Sequence, residues 1–270
     1  MQWEKLRADQ FEEAVVETGG VCIVPVAVLE YHGNHLPLGT DVIIARYVAD
    51  EVAKIEPALV FPVVNFSSNF ETKAFPGGIV VDNQLLFALF ENICDEIGRN
   101  GCKKIMFISG HGGNKWFLPQ FVMSMLDKGK DWVPYYCDAR GVDPDALGGY
   151  MNKELFNEIF DSEEYGHACE WEASEMLHID PDLVDMDQAK KVNERPREDL
   201  SHLKHMYTPM DWVAMQPELT RGTPGLSSAE KGRVFLEDQI RTLAEMVALV
   251  KKDTRAREIY EDFNRRIYRG

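Results

Sequence analysis

Lys104-Ile105-Met106-Phe107-Ile108-Ser109-Gly110-His111-Gly112-Gly113-Asn114 is the stretch that decides the architecture. Its apolar run is too short for a helix and reads as a buried strand. The glycines end that strand in a tight turn, and a helix is expected from about Asn114 to Asp127. Upstream, Asp82 caps a helix over roughly 83–99, with Leu85, Leu86, Leu89, Ile93 and Ile97 inward and Gly101 as a stop. Downstream, Trp132–Cys137 reads as another strand. The same rhythm precedes it. Val21–Val26 is a strand after Gly19-Gly20, and Thr40 or Asp41 caps a helix to about Ile55. Leu59–Val64 is a further strand. Strands alternating with helices predict an α/β fold whose mostly parallel sheet is covered by helices on both faces.

The second half is less regular. Residues 151–160 and Glu170–Leu177 look helical, and residues 180–226 are rich in Pro, Asp and Arg and read mostly as loop. A long amphipathic helix is expected from Ser227 to about Lys252, followed by a polar helical tail to Arg269. No Pro/Gly/Ser linker divides the 270 residues, so 1–270 is expected to be a single domain.

Lys and Arg number 29 and Asp and Glu 45, a formal net charge of −16. That balance argues against a nucleic-acid partner, which requires a basic footprint, and against an anionic membrane surface. No apolar run approaches the ~20 residues of a membrane span. The first twenty residues carry acids where a signal peptide has a basic start and an apolar stretch. Cys22, Cys94, Cys102, Cys137 and Cys169 are odd in number and scattered. Reduced thiols and a cytoplasmic location are expected.

Ligands of parallel sheets sit beyond the carboxyl ends of strands. That rule selects residues 27–41 and 110–114. In the first, Glu30 and His32 share one face if the segment is extended, and Asp41 follows a Pro/Gly loop that can fold back beside them. Two carboxylates and an imidazole suit zinc, manganese or iron(II). A polar loop with a helix cap at Asp41 accounts for the same residues. In the second, His111 lies between glycines at a strand end, with no core to enter; a tight strand-to-helix turn is the simpler alternative. A third segment, Glu163–Ser174, holds His167, Glu170 and Glu172 at a helix start. Only one of the two glutamates can face a given site, and acids are common at helix N-termini in any case. Together the three segments favour a metal-dependent hydrolase.

Glu30-Tyr31-His32-Gly33-Asn34-His35-Leu36-Pro37-Leu38-Gly39-Thr40-Asp41 resembles the signature E-x-H-G-x-H-L-P-L-x-T-D of the creatininase (creatinine amidohydrolase) family. Ser109–Asn114 resembles its GHGGN turn, Phe75-Pro76-Gly77-Gly78 its FPGT loop, His167–Ser174 its HAGExETS segment, and Asp180–Met186 its D-P-x-L-V-x-M stretch. The resemblance implies a single three-layer αβα domain with two divalent ions, zinc first and manganese or iron as alternatives. It also implies a homo-oligomer, usually a hexamer, and hydrolysis of a non-peptide C–N bond in a small amide, cyclic amide or formamide. By the same resemblance, Glu30 and His111 hold one ion, His32 the other, and Asp41 bridges them. Where creatininase itself has a second-site Glu, this chain has Gly113, so Glu172 is the first candidate to replace it and Glu170 the second. His167 matches the family's catalytic histidine, and Glu164, in the place of a catalytic Asp, would orient it. Thr72, Gly78, Cys169 and Ala173 depart from the pattern, which makes creatinine itself a poor default substrate.

Three other readings are open. Cys169 could act as a nucleophile with His167, although that spacing is poor. The ions could only stabilise a small-molecule binding protein without catalysis. The chain could also be an α/β binding module with no metal. Trp171 reads as packing or pocket wall, and His178, His202 and His205 as surface or structural residues.

Overall fold

The computed structural model describes residues 1–138, 151–192 and 200–267. In chain order it contains α1 (Ala8–Glu17), β1 (Val21–Val26), α2 (Thr40–Ile55), β2 (Leu59–Val60), α3 (Asn83–Arg99), β3 (Lys104–Ser109), α4 (Asn114–Ser124) and β4 (Val133–Cys137). There follow α5 (Lys153–Ile159), α6 (Glu170–Ile179), α7 (Met186–Ala189), α8 (Met210–Met215), α9 (Ala229–Lys252) and α10 (Arg255–Ile267). The expected tail helix is α10. The end of that tail at Arg269, and residues 193–199 of the expected loop region, lie outside the described residues.

The four strands form one parallel sheet in the order β2-β1-β3-β4. Every residue of β1 is buried, and so are all but the first of β3, as a parallel sheet covered on both faces requires. On one face α2, α6 and α9 pack against Val21, Ile23, Met106 and Ile108. On the other, α1, α3 and α4 pack against Cys22, Val24, Ile105 and Phe107, with Phe90, Phe107, Phe117 and Phe121 in edge and tilted ring contacts. The chain is therefore an αβα sandwich, as the alternation of strands and helices predicted.

One strand is shorter than expected. Leu59–Val64 pairs regularly with β1 only at Leu59 and Val60. Prolines explain this: Pro25 and Pro62 lie on the facing segments, and neither has an N–H to give the ladder. The segment still follows β1 irregularly, with Val64 N–H donating to the Pro25 carbonyl and Ala27 N–H to the Val64 carbonyl, both at 2.9 Å. Helix α2 also starts differently from expectation. Gly39 occupies its cap position, which leaves Asp41 inside the first turn. Asp82 does cap α3, accepting from Gln84 N–H at 2.8 Å.

Strand order reverses between β1 and β3: one neighbour of β1 follows it in sequence, and the other comes after a crossover. The loops leaving β1 and β3 at their carboxyl ends therefore diverge and open a crevice. These are the two segments that carry Glu30 to Asp41 and His111.

Candidate metal centre

The 30–41 loop closes on itself. Glu30 N–H donates to the Leu38 carbonyl at 3.1 Å, so Asp41 returns beside Glu30. The turn needs Gly33, which has φ +69° and would place a Cβ 2.7 Å from the His35 ring. At the end of β3, Gly110 bonds back to Val26 at 2.8 Å. A Cβ there would lie 2.6 Å from Ala45 Cβ, so glycine lets β3 approach α2 and brings His111 to Asp41.

The side chains meet in one buried cluster. Relative exposures are 0% for Glu30 and His32, 1% for Asp41, 4% for His111, 6% for Glu172 and 7% for His167. Asp41 spans two imidazoles, with Oδ1 3.3 Å from His32 Nε2 and Oδ2 3.0 Å from His111 Nδ1. Glu30 Oε1 lies 3.0 Å from His111 Nδ1, 3.6 Å from His167 Nδ1 and 4.0 Å from His32 Nε2. Donor atoms of His32, Asp41 and Glu172 all fall within 4.8 Å of one another; so do those of Glu30, Glu71 and His111, and those of Glu30, His32 and His167.

Each imidazole is aimed by a main-chain carbonyl. His111 Nε2 faces the Ser68 carbonyl at 3.1 Å, His32 Nδ1 the Glu30 carbonyl at 3.2 Å, and His167 Nε2 the Tyr31 carbonyl at 2.6 Å. A carbonyl only accepts, so each of these nitrogens carries its proton. The opposite nitrogens, His111 Nδ1, His32 Nε2 and His167 Nδ1, point inward, and this is how metal-binding histidines are held.

The charge balance points the same way. Burial alone would lower the His32 pKa, but Asp41 overrides it and raises it to about 9. Burial likewise opposes ionisation of His111, yet Glu30 and Asp41 push its pKa well up. Glu30 and Asp41 are held below the ordinary carboxylate range: burial would raise them, and the neighbouring imidazoles outweigh it. In the bare protein, protons on imidazoles thus balance buried carboxylates. Even so, Oε2 of Glu30 is buried with no hydrogen bond, and its Oε1 meets only imidazole nitrogens. Buried polar atoms left this way are rare unless something else satisfies them. Mixed oxygen and nitrogen donors at this spacing fit divalent cations.

The structure separates the two glutamates of α6. Glu172 joins His32 and Asp41, and its Oε2 also accepts from Ala168 N–H at 2.6 Å. Glu170 faces away, accepting from Asp161 and Ser162 N–H groups and pairing with Lys231. Glu164 is not brought to His167. Its carboxylate faces Arg221 Nε at 3.4 Å, and the Tyr31 carbonyl takes the orienting role expected of it. Cys169 is fully buried, and burial raises its thiol pKa to about 12, which removes the thiolate a nucleophile needs. Sequence reasoning missed Glu71, on a short 3-10 turn at Phe70–Ala74, and His35, whose Nε2 bonds the Ala168 carbonyl at 2.9 Å.

The creatininase (creatinine amidohydrolase) profile matches residues 4–247, and the chain belongs to the creatininase family. A creatinine amidohydrolase of Pseudomonas putida is 27% identical over 88% of this chain and 92% of its own length. A mycofactocin precursor peptide peptidase of Mycolicibacterium smegmatis (strain ATCC 700084 / mc(2)155) is 33% identical over 80% of this chain and 79% of its own. Crystalline creatinine amidohydrolase superposes with a TM-score of 0.77 at 23% identity, covering 94% of this chain and 98% of that one.

Proposed function

We propose that this protein is a metal-dependent amidohydrolase that cleaves the non-peptide C–N bond of a small amide, a cyclic amide or a formamide being the preferred class. The observation that carries the reading is the two-sided engagement of Asp41. One oxygen faces His32 beside Glu172, and the other faces His111 beside Glu30. A carboxylate so placed serves two cation sites at once. Glu30 and His111 would hold one ion, His32 and Glu172 the other, with Asp41 shared. Zinc is the first candidate, and manganese and iron are alternatives. A Zn-Zn form of a mutant creatininase and a Mn creatininase share the fold.

When bound, such ions supply a Lewis acid for the amide carbonyl and a nucleophilic water at neutral pH. The protein supplies the rest. Three carboxylates set the charge that retains cations, and their burial excludes bulk water. His167 presents Nδ1 to the centre, while its Nε2 proton is fixed on the Tyr31 carbonyl. That nitrogen can take up a proton and deliver it to the departing amine. The Tyr31 ring stacks on Phe75 at 4.9 Å and 12°, which makes a flat apolar wall beside the 30–32 segment.

A second reading, release of a residue from a peptide end, is favoured by the 33% identity to a precursor peptide peptidase. One experiment addresses both. The protein is loaded with zinc or manganese, its metal content is counted, and cyclic amides, N-formyl compounds and short peptides are assayed. Turnover of the small amides supports the proposal, whereas cleavage of peptides alone transfers it to the second reading. Full metal occupancy with no turnover of any class leaves a metal-stabilised binding protein. The reading includes a homo-oligomer, a hexamer being expected, which sedimentation equilibrium tests.

A further inference from the structure

The segment from Ser67 to Phe75 enters the centre from the β2 side, away from the other donors. It is pinned at four points. Ser67 Oγ bonds Asn114 Oδ1 at 2.5 Å, and the Ser68 carbonyl accepts from His111 Nε2 at 3.1 Å. Asn69 Nδ2 donates to the Leu29 carbonyl at 3.4 Å, and Thr72 Oγ1 accepts from Tyr31 N–H at 3.2 Å. Between these pins the Phe70–Ala74 turn carries Glu71, partly buried, toward Glu30 and His111.

Two independent observations give this placement a ligand. First, Glu71, Glu30 and His111 each offer one donor atom, and the three lie within 4.8 Å of one another. Second, Oε2 of Glu30 in that same group is fully buried and has no hydrogen bond, while Oε1 meets only imidazole nitrogens. The opposite wall cannot contribute. A Cβ at Gly113 would lie 2.7 Å from the Ser68 carbonyl oxygen and 2.5 Å from His111 Nε2, so residue 113 has no room for a side chain. A fixed loop thus closes one side of this pole and presents a carboxylate from it.

We infer that Glu71 is a protein ligand of the cation held by Glu30 and His111, supplied by the 67–75 loop. The inference rests on the metal-centre reading above. It gives this pole the donors Glu30, Asp41, His111 and Glu71, three carboxylates and one imidazole. The other pole has His32, Asp41 and Glu172, two carboxylates and one imidazole. The two cation sites are therefore unequal, and the one containing Glu71 is the harder, more oxygen-rich site.

The test compares the full-length wild type with Glu71→Gln and Glu71→His. Metal content, chelator-competition affinities for Zn2+ and Mn2+, and the Co2+ absorption spectrum are recorded, with thermal melts to verify folding. Glu71→Gln should weaken one of the two ions by about 10-fold or more while leaving the other, the scale on which loss of metal-supporting groups acts. It should also alter the Co2+ bands. Glu71→His, which restores a donor, should recover part of the affinity. Two ions bound by Glu71→Gln at wild-type affinity, with an unchanged Co2+ spectrum, overturn the inference alone. A wild type that takes up no divalent ion overturns both the inference and the metal-centre reading.

Discussion

Asp41 and His167 are separable at the level of single residues. Asp41→Ala removes the carboxylate shared by two imidazoles and should release metal and abolish turnover together, read by elemental analysis and by an amide assay on the same sample. Retention of two ions and full activity would sink the bridging role. His167→Gln should keep the metals and lower kcat by about 10²–10⁴-fold, the usual worth of a positioned acid or base. Unchanged kcat with normal metal content would dismiss His167 as the proton carrier. The segments that meet in the cluster were legible from side-chain type: Glu30, His32, Asp41 and His111 stand in short polar stretches that suit no core. The orienting group of His167 was not legible. It is the carbonyl of Tyr31, and a main-chain oxygen leaves no trace in residue identity. Glu164 looked right by position, yet it turns to Arg221. Glu71 was equally hidden, because its meaning depends on a loop folding back from β2.

Helices α6 and α9 are in close backbone contact at Gly232. A Cβ at Gly232 would lie 2.0 Å from the Ser174 carbonyl oxygen, which is backbone and cannot swing away. Gly232→Ala should therefore destabilise the protein by at least ~1–3 kcal/mol, the range for overpacked sites. A chain of this size loses roughly 2–4 °C per kcal/mol, so differential scanning calorimetry resolves it. An unshifted melting temperature would show that the helices slide apart freely. Because α6 carries Glu172, the same substitution should weaken metal retention. Helices and strands were read from periodicity with little error wherever local pattern and tertiary demand agreed. The exceptions were α1, which was not read, α7 and α8, which lie in the expected loop region, and β2, where Pro25 and Pro62 on neighbouring segments withhold N–H groups from the ladder. That juxtaposition depends on which strands are neighbours, which no window of residues reveals.

For the whole molecule, stability, pH and metal are linked. The metal-free pKa of His32, about 9, lies above the ~6.5 of an unfolded histidine. Its stabilising share is complete below that lower value and is lost as pH rises through about 9. Glu30 and Asp41, held low, act in the opposite sense: their share is present above the ordinary carboxylate range and lost on acidification. Metal-stripped protein should therefore melt progressively lower from pH 6.5 to 9. Metal-loaded protein should keep a flatter alkaline limb, because cations then replace those protons. Melting curves from pH 5 to 9.5 with and without chelator check this, and parallel curves would refute the linkage. At a thousandfold excess over Kd, a single ion adds about 4 kcal/mol, so loss of each ion should lower the melting temperature by roughly 8–16 °C.

The carbonyls that aim the three imidazoles have a consequence for remodelling this enzyme. Glu30, Tyr31 and Ser68 lend their backbone oxygens, and exchanging side chains does not delete a backbone oxygen. Libraries that vary the side chains of Tyr31, Phe75 and the surrounding wall should thus leave in place the backbone oxygens that orient these imidazoles.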